Sequence, residues 1–498
     1  MDDPATLSVR GRLLKDQARR APPSDRPALW REAGDAYARA AELSGATYHL
    51  INAATLALLA GDRAMAGERA GLVLGKLDAG DTGPETPYYL AATRAEALLL
   101  LGRTDEAAAA LAEAVRLAPD AWEDHASTLR QFTLVLDALK QETAWLGALQ
   151  PPRSLHFAGP LALVDDVGLR GRIDALLADE RIGFAYGALA GGADLIVAEA
   201  VLARGAELHL VLPAPAAVFR ADSVTPLGGD WPARFDAVLE RAATLLVVDT
   251  QAAATTMLHV RLAAEAAMGK AVMNAAAIAS EPVQLLLVRA DAETGATAEI
   301  GEHWRRSGRR QAFLNVPGRS EAAGRVKSLP DGPDDGTLAA MLAIGFDSLG
   351  AAGASPLPTR TLDCIGAALA GAARPMTSPV VGGDTLHLAF ASPTEAARAA
   401  DLICEACSGD EVRVAGHYGV ARLVESPFGP ERALIGPAAA LAPDILASVP
   451  IGAAHLSETL AAALNGWTAV AAGETTYVGD LTRGGEVIAL YALTPAGR

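Results

Sequence analysis

Residues 183–205 read GFAYGALAGGADLIVAEAVLARG, and this stretch decides the fold. A short apolar strand runs into Gly191 and Gly192, and a helix starts around Asp194 with no intervening loop. The same rhythm continues on both sides. SLHFAG (154–159), ELHLVLP (207–213), TLLVVD (244–249) and KAVMNAA (270–276) read as buried strands, alternating with helices such as PARFDAVLERA (232–242) and LHVRLAAEAAMG (258–269). That alternation predicts a parallel sheet with helices on both faces, and right-handed crossovers place ligands at the carboxyl ends of the strands. Bare glycines at a strand–helix turn let a ligand approach the backbone, and the first helix amides carry partial positive charge, which suits a phosphate. The same residues equally suit a tight turn with Asp194 as helix cap.

Upstream the period changes. LWREAGDAYARAAEL (29–43) and RTDEAAAALAEAVRL (103–117) repeat apolar residues at three and four, the spacing of amphipathic helices. ALLAGDRAMAGERAGLVL turns at Gly61, and ALLLLGRTDEAAAALAEAV turns at Gly102, about forty residues later. Such self-similarity predicts stacked helical hairpins, able to dock a protein partner or to act as a spacer or dimer surface. Pro151 and Pro152 end this region.

Downstream, 295–336 is rich in Gly, Arg, Pro and Asp and reads as a linker, with Arg305, Arg306, Arg309 and Arg310 as a solvated cluster. Beyond it LAAMLAIGF (338–346), SPVVGGDTLHLAF (378–390), VRVAGHYGVARLV (412–424) and VIALYAL (487–493) read as strands among helices, with a hairpin centred on Gly382 and Gly383. The expectation is a multidomain chain. An α-helical repeat domain (1–150) precedes an α/β parallel-sheet domain (151–294), a linker (295–336) and an α+β domain (337–498).

Composition narrows the function. The 498 residues exceed what one hydrophobic core supports. A net charge of −17 and the lack of a dense Lys/Arg tract argue against nucleic acid as partner. No charge-free run of about 18 apolar residues occurs, so no membrane partner is expected. The charged N-terminus does not read as a secretory signal, and the three cysteines, Cys364, Cys404 and Cys407, are too few for a disulfide framework. A cytoplasmic location is the expectation.

Three resemblances add to this reading. Through YHLINAATLALLAGD (48–62) and the two hairpins, the N-terminal part resembles tetratricopeptide repeats and, more loosely, the TRAFs-binding region of some kinase kinase kinases. ALAGGADLIVAEAVLARGAELHLVLPAPAAVFRADSV (188–224), followed by Trp231, Arg234 and Phe235, resembles the SLOG family of Rossmann-like nucleotide sensors. That resemblance implies a nucleotide-derived ligand, with Gly159, Gly187, Gly191, Gly192, Asp194 and Glu199 as its candidate contacts. The hydrolase branch of that superfamily uses a PGG-x-GT loop; AGGADLIVAE lacks its proline and threonine. Ser223 and His209 read as structural.

In its order of elements the C-terminal part resembles class III nucleotide cyclases. Such enzymes need two acidic side chains to hold two metal ions, and positive charge on the reacting phosphate. The first carboxylate would fall where this chain has Ile344, Gly345 and Phe346, leaving Asp347 as a displaced substitute. The second matches Asp384 after Gly383, although Gly-Gly-Asp is also a favoured hairpin turn. The base-selecting lysine would fall near Val380, and the asparagine and arginine near Ala440 and Asp444. Losing a transition-state arginine costs roughly 10³ to 10⁵ in related phosphoryl transfers, so independent catalysis is not expected and no catalytic residue is assigned. Mg²⁺ or Mn²⁺ would enter only if this site retains metal. The resemblance also implies pairing, hence a homodimer. Cys404, Cys407 and His417 read as core residues.

The sequence thus points to a signalling protein that senses a nucleotide-derived ligand, with a catalytically impaired cyclase-like domain and a protein partner on its helical repeats. A weak or partner-dependent cyclase and a ligand-free scaffold are the alternatives.

Overall fold

The computed structural model describes residues 3–161, 163–289, 296–316, 329–346, 359–370, 374–407, 412–426, 432–467 and 474–494. Asp347 lies outside them. The chain divides into two compact units: residues 1–151 with 276–280, and 152–275 with 281–496.

The first unit is helical: α1 (Pro4–Arg20), α2 (Arg26–Ser44), α3 (Thr47–Leu59), α4 (Arg63–Ala79), α5 (Pro87–Leu100), α6 (Thr104–Leu117) and α7 (Trp122–Leu139). The two turns seen in the sequence close in the same way. Gly61 and Gly102 both take positive φ, and the residue after each donates to the carbonyl five positions back, Asp62 to Ala57 and Arg103 to Leu98, both at 2.9 Å. Small residues at the crossings, Ala66, Ala95 and Ala107, are fully or almost fully buried and let the helices approach.

The second unit opens with β1 (Arg153–Ala158), α8 (Val167–Asp179), β2 (Ile182–Gly187), α9 (Ala193–Ala203), β3 (Glu207–Leu212), α10 (Ala216–Ser223), α11 (Trp231–Leu239), β4 (Thr244–Val247), α12 (Met257–Ala277), β5 (Pro282–Arg289), α13 (Ala296–Arg306) and β6 (Arg310–Val316). All their pairings are parallel, in the order β4-β3-β2-β1-β5-β6. The chain moves outward from β1 to one edge and then returns to its other side, so the direction reverses between β1 and β5. That reversal opens a crevice at the carboxyl ends of the strands.

Three sequence expectations are corrected. KAVMNAA is the last part of helix α12, because the helical period of LHVRLAAEAAMG continues through it without a turn. The stretch expected as linker carries α13 and the edge strand β6, anchored by Trp304, which is wholly buried. Its arginines are not all free in solvent: Arg310 pairs with Glu180, and Arg309 donates to the carbonyls of Asn465 and Gly466. The hairpin turn sits one residue later than expected, on Gly383 and Asp384, since Gly382 pairs with Thr385.

The unit continues with β7 (Gly336–Phe346), α14 (Thr359–Leu369), β8 (Val380–Gly382), β9 (Thr385–Phe390), α15 (Pro393–Ala406), β10 (Val412–Glu425), β11 (Arg432–Ile435), α16 (Leu441–Leu446), β12 (Ala454–Ser457), α17 (Glu458–Trp467), β13 (Glu474–Arg483) and β14 (Glu486–Thr494). They form a mixed sheet in the order β13-β14-β12-β10-β7-β9-β8, with β11 paired to β10. Among the described residues no helix is long and apolar enough to cross a membrane.

Helix α12 belongs to the cores of both sheets. Leu258 and Leu262 pack with β7, β10 and α17, and the Tyr418 hydroxyl of β10 donates to Glu265 at 2.9 Å. A Cβ on Gly269 would stand 1.6 Å from the carbonyl oxygen of Ala462, so the α12 and α17 backbones are in direct contact there. Only glycine permits that approach.

A candidate ligand cavity beneath helix α12

A cavity of about 210 Å³ lies at the carboxyl ends of β1, β2 and β3, roofed by Met257, Val260 and Ala264 of α12. Strand β1 supplies much of its floor. Because β1 is covered on both faces, it turns Leu155 and Phe157 into one core and Ser154 and His156 toward α12 and α13. A polar chain holds the His156 ring. The Gln311 amide donates to Gln284 Oε1 at 2.6 Å, so Gln284 Nε2 donates to His156 Nδ1 at 3.0 Å. Trp304 stacks 6.0 Å away. Burial pulls the His156 pKa down to about 3, which keeps the ring neutral.

Asp194 and Ser223 also face this cavity. Asp194 is 8% exposed and accepts the Ala190 amide at 3.2 Å. Burial pushes its carboxyl up to about 7 against the pull of the backbone amides of Ala190 and Gly159. Ser223 is 1% exposed, and its buried hydroxyl has no hydrogen-bond partner. Native folds rarely leave such a group unsatisfied.

The structure gathers Gly159, Gly191, Gly192 and Asp194 at the start of α9, but packs the first two tightly. A Cβ on Gly159 would lie 2.4 Å from Ala193 Cβ, and one on Gly191 would lie 2.2 Å from Leu227 Cδ1. Gly192 takes φ 114°, ψ −123°, which an L side chain resists. The amide of Ala193 donates to Pro160, that of Gly191 to Ser223, and Leu161 bridges Gly192. The loop after β1 therefore takes the Ala193 amide, and the end of α10 takes that of Gly191. Gly187 stands apart, at the end of β2 against the Phe157 ring.

Glu199 is also separate from the cavity. Arg234 and Arg170 clasp it at 2.7 and 2.9 Å, and both arginines reach Asp165. Trp231 lies under the Arg234 guanidinium, 4.1 Å from ring centroid to carbon. This cluster accounts for Trp231 and Arg234 by packing and ion pairing; Phe235 is in the core.

In the mixed sheet, Asp384 is exposed on the β8–β9 turn, and its carbonyl accepts the amide of Phe346, the last residue of β7. No carboxylate stands at Ile344, Gly345 or Phe346. Among the described residues, which exclude Asp347, no three His, Cys, Asp or Glu side chains gather to hold a metal. Val380 is exposed on β8, and Asp444 pairs with Arg483. His417 is buried, bonded through Nδ1 to Ser457 at 2.9 Å, with its pKa pulled down to about 4 by burial and by Arg483. His209 stacks on Tyr186 at 4.6 Å. Cys404 and Cys407 sit along and at the end of α15, with Cys407 buried.

His156 and the α12 residues were not singled out from sequence, and Ser223 was set aside. The available signal was a histidine in the middle of an otherwise apolar parallel strand, a position that must be satisfied internally.

No protein-family model matches the chain, and no curated protein matches it. Solved nucleotide cyclases resemble about a third of it. The adenylyl cyclase CyaB from P. aeruginosa is 11% identical, with TM-score 0.27, over 32% of this chain and 95% of that one. The guanylate cyclase domain of RhGC from Catenaria anguillulae, in complex with GTP, is 14% identical, with TM-score 0.27, over 32% and 97%. An adenylate cyclase from Trypanosoma brucei in its monomeric state is 16% identical, with TM-score 0.27, over 33% and 91%.

Proposed function

We propose that this is a signalling protein in which a nucleotide-derived small molecule occupies the cavity beneath α12 and the mixed sheet responds. The observation that carries this reading is the double contact of α12. Met257, Val260 and Ala264 line the cavity, while Leu258, Leu262, Glu265 and Gly269 engage the mixed-sheet core and α17. A ligand that changes the position of α12 changes the surface offered to α17. Occupancy then shifts an equilibrium to the extent that the two states differ in affinity. The parallel sheet serves as the SLOG-like sensor and the mixed sheet as a cyclase-like domain without independent catalysis. Its pairing gives a homodimer, and the helical hairpins present a docking surface to a protein partner.

Hydrogen exchange on the full chain tests this reading, with and without nucleotides, nucleosides and bases. The expected result is slowed exchange in 257–277 together with 458–467. Slowing confined to the helical unit, or none with any compound, would overturn it.

One observation favours the second reading, a weak or partner-dependent cyclase: Asp384 sits directly beside the end of β7, where a metal-binding pair would have to form. Incubation with ATP or GTP and Mn²⁺ decides it. A cyclic product that Asp384→Ala abolishes would replace the sensor reading with an enzyme.

A further inference from the structure

We infer that the cavity beneath α12 selects a neutral, planar heteroaromatic molecule of nucleobase size and rejects phosphorylated ones. This rests on the sensor reading above and narrows its ligand. Among the described residues no lysine or arginine lines the cavity, and its one ionisable acid is Asp194. A phosphate placed there would meet a carboxyl group and, among the described residues, no compensating cation, a costly arrangement beside apolar walls. The first helix amide, that of Ala193, is no substitute, since the Pro160 carbonyl takes it.

What the cavity offers is neutral hydrogen bonding between apolar walls. The Gln311–Gln284 chain occupies His156 Nδ1 with a donor, so the neutral ring carries its proton on Nε2. Ser223 adds a hydroxyl that can donate and accept and that nothing in the protein satisfies. Asp194 supplies a carboxyl that remains largely protonated up to near neutral pH. Phe157, Phe219 and Met257 provide apolar surface beside these groups. A volume of about 210 Å³ is below the usual range for drug-sized ligands, which fits a single ring system. Donors and acceptors beside apolar surface match the edge and faces of a base.

Calorimetry on the full chain, with adenine, guanine, uracil, their nucleosides and their 5′-monophosphates, tests the inference. At least one base or nucleoside should bind, with its monophosphate weaker by on the order of tenfold or more. Ser223→Ala should weaken that binding by roughly 3- to 10-fold, the loss of one neutral hydrogen bond. It should leave the melting temperature unchanged or higher, because the orphan hydroxyl is removed. Ala264→Leu, which fills the roof, should weaken binding further. A monophosphate that binds as tightly as its base, in a Ser223-dependent way, would overturn the inference while leaving the sensor reading intact. Binding of every compound unaffected by Ser223→Ala and Ala264→Leu, or no binding at all, would remove the cavity reading itself.

Discussion

Two of the chain's four Gly-Gly pairs, Gly191–Gly192 and Gly382–Gly383, look alike in sequence and differ in physics. Gly191 and Gly192 sit in the parallel-sheet half, where an added Cβ on Gly191 would strike Leu227 and the Ser223 carbonyl lies 3.2 Å away. Gly382 and Gly383 sit in the mixed-sheet half, where an added Cβ meets nothing within 4 Å. The first pair brings three segments together; the second turns an exposed hairpin through positive φ at Gly383. At the first pair the Gly191 amide is already taken by the Ser223 carbonyl and the Ala193 amide by Pro160. A double glycine therefore reports a backbone requirement, and only its neighbours reveal which one.

Substitutions can separate these roles. The largest effect is expected at a third glycine, Gly269. Alanine there would drive α12 from α17 at a backbone contact, costing about 3 kcal/mol or more by denaturant unfolding; a near-neutral result would mean that the two helices are not held in contact. The next effect is pH-dependent. Folding raises the Asp194 pKa from 3.8 to about 7, so the folded state holds the proton more tightly than the unfolded state. The wild-type chain should lose stability relative to Asp194→Asn as pH rises from about 4 to 7, by up to roughly 4 kcal/mol, with no further divergence above that window. Equal pH profiles would show that Asp194 is not buried as described.

Gly191→Ala should cost about 1 to 2 kcal/mol, because its nearest obstacle, the end of the Leu227 side chain, can yield more readily than backbone. Gly383→Ala should cost about 1 kcal/mol from positive φ alone. Gly382→Ala, with ordinary φ and open space, should change stability by less than about 0.5 kcal/mol. If Gly191→Ala proved as mild as Gly382→Ala, the distinction between packed and open glycine pairs would fail.

Much of the architecture was legible in sequence. Apolar residues at three and four marked the hairpins that turn at Gly61 and Gly102, and short apolar runs marked β1 to β4, β7 to β10 and β14, but not β5, β11, β12 or β13. The KAVMNAA segment was misread because four to seven apolar residues look the same in a buried strand and a buried helix. The 295–316 segment was misread because polar, Arg-rich composition resembles a linker until Trp304 and the pairing partners of its arginines are known.

The candidate site was less legible. Asp194 stood out by its place after two glycines, and the structure turns it inward to Ala190 rather than outward to a ligand phosphate. Glu199 stood out by motif position and is occupied by Arg234 and Arg170. His156 and Ser223 lie 67 residues apart in sequence and share a cavity only because β1 is central in the sheet and α10 ends beside the start of α9. Sequence alone determined the periods, the turns and hence the kinds of element, because these depend on residues within a few positions of one another. Tertiary structure decided which amides remain free, which hydroxyl lacks a partner and which helix spans two cores, because burial and hydrogen-bond satisfaction depend on segments distant along the chain.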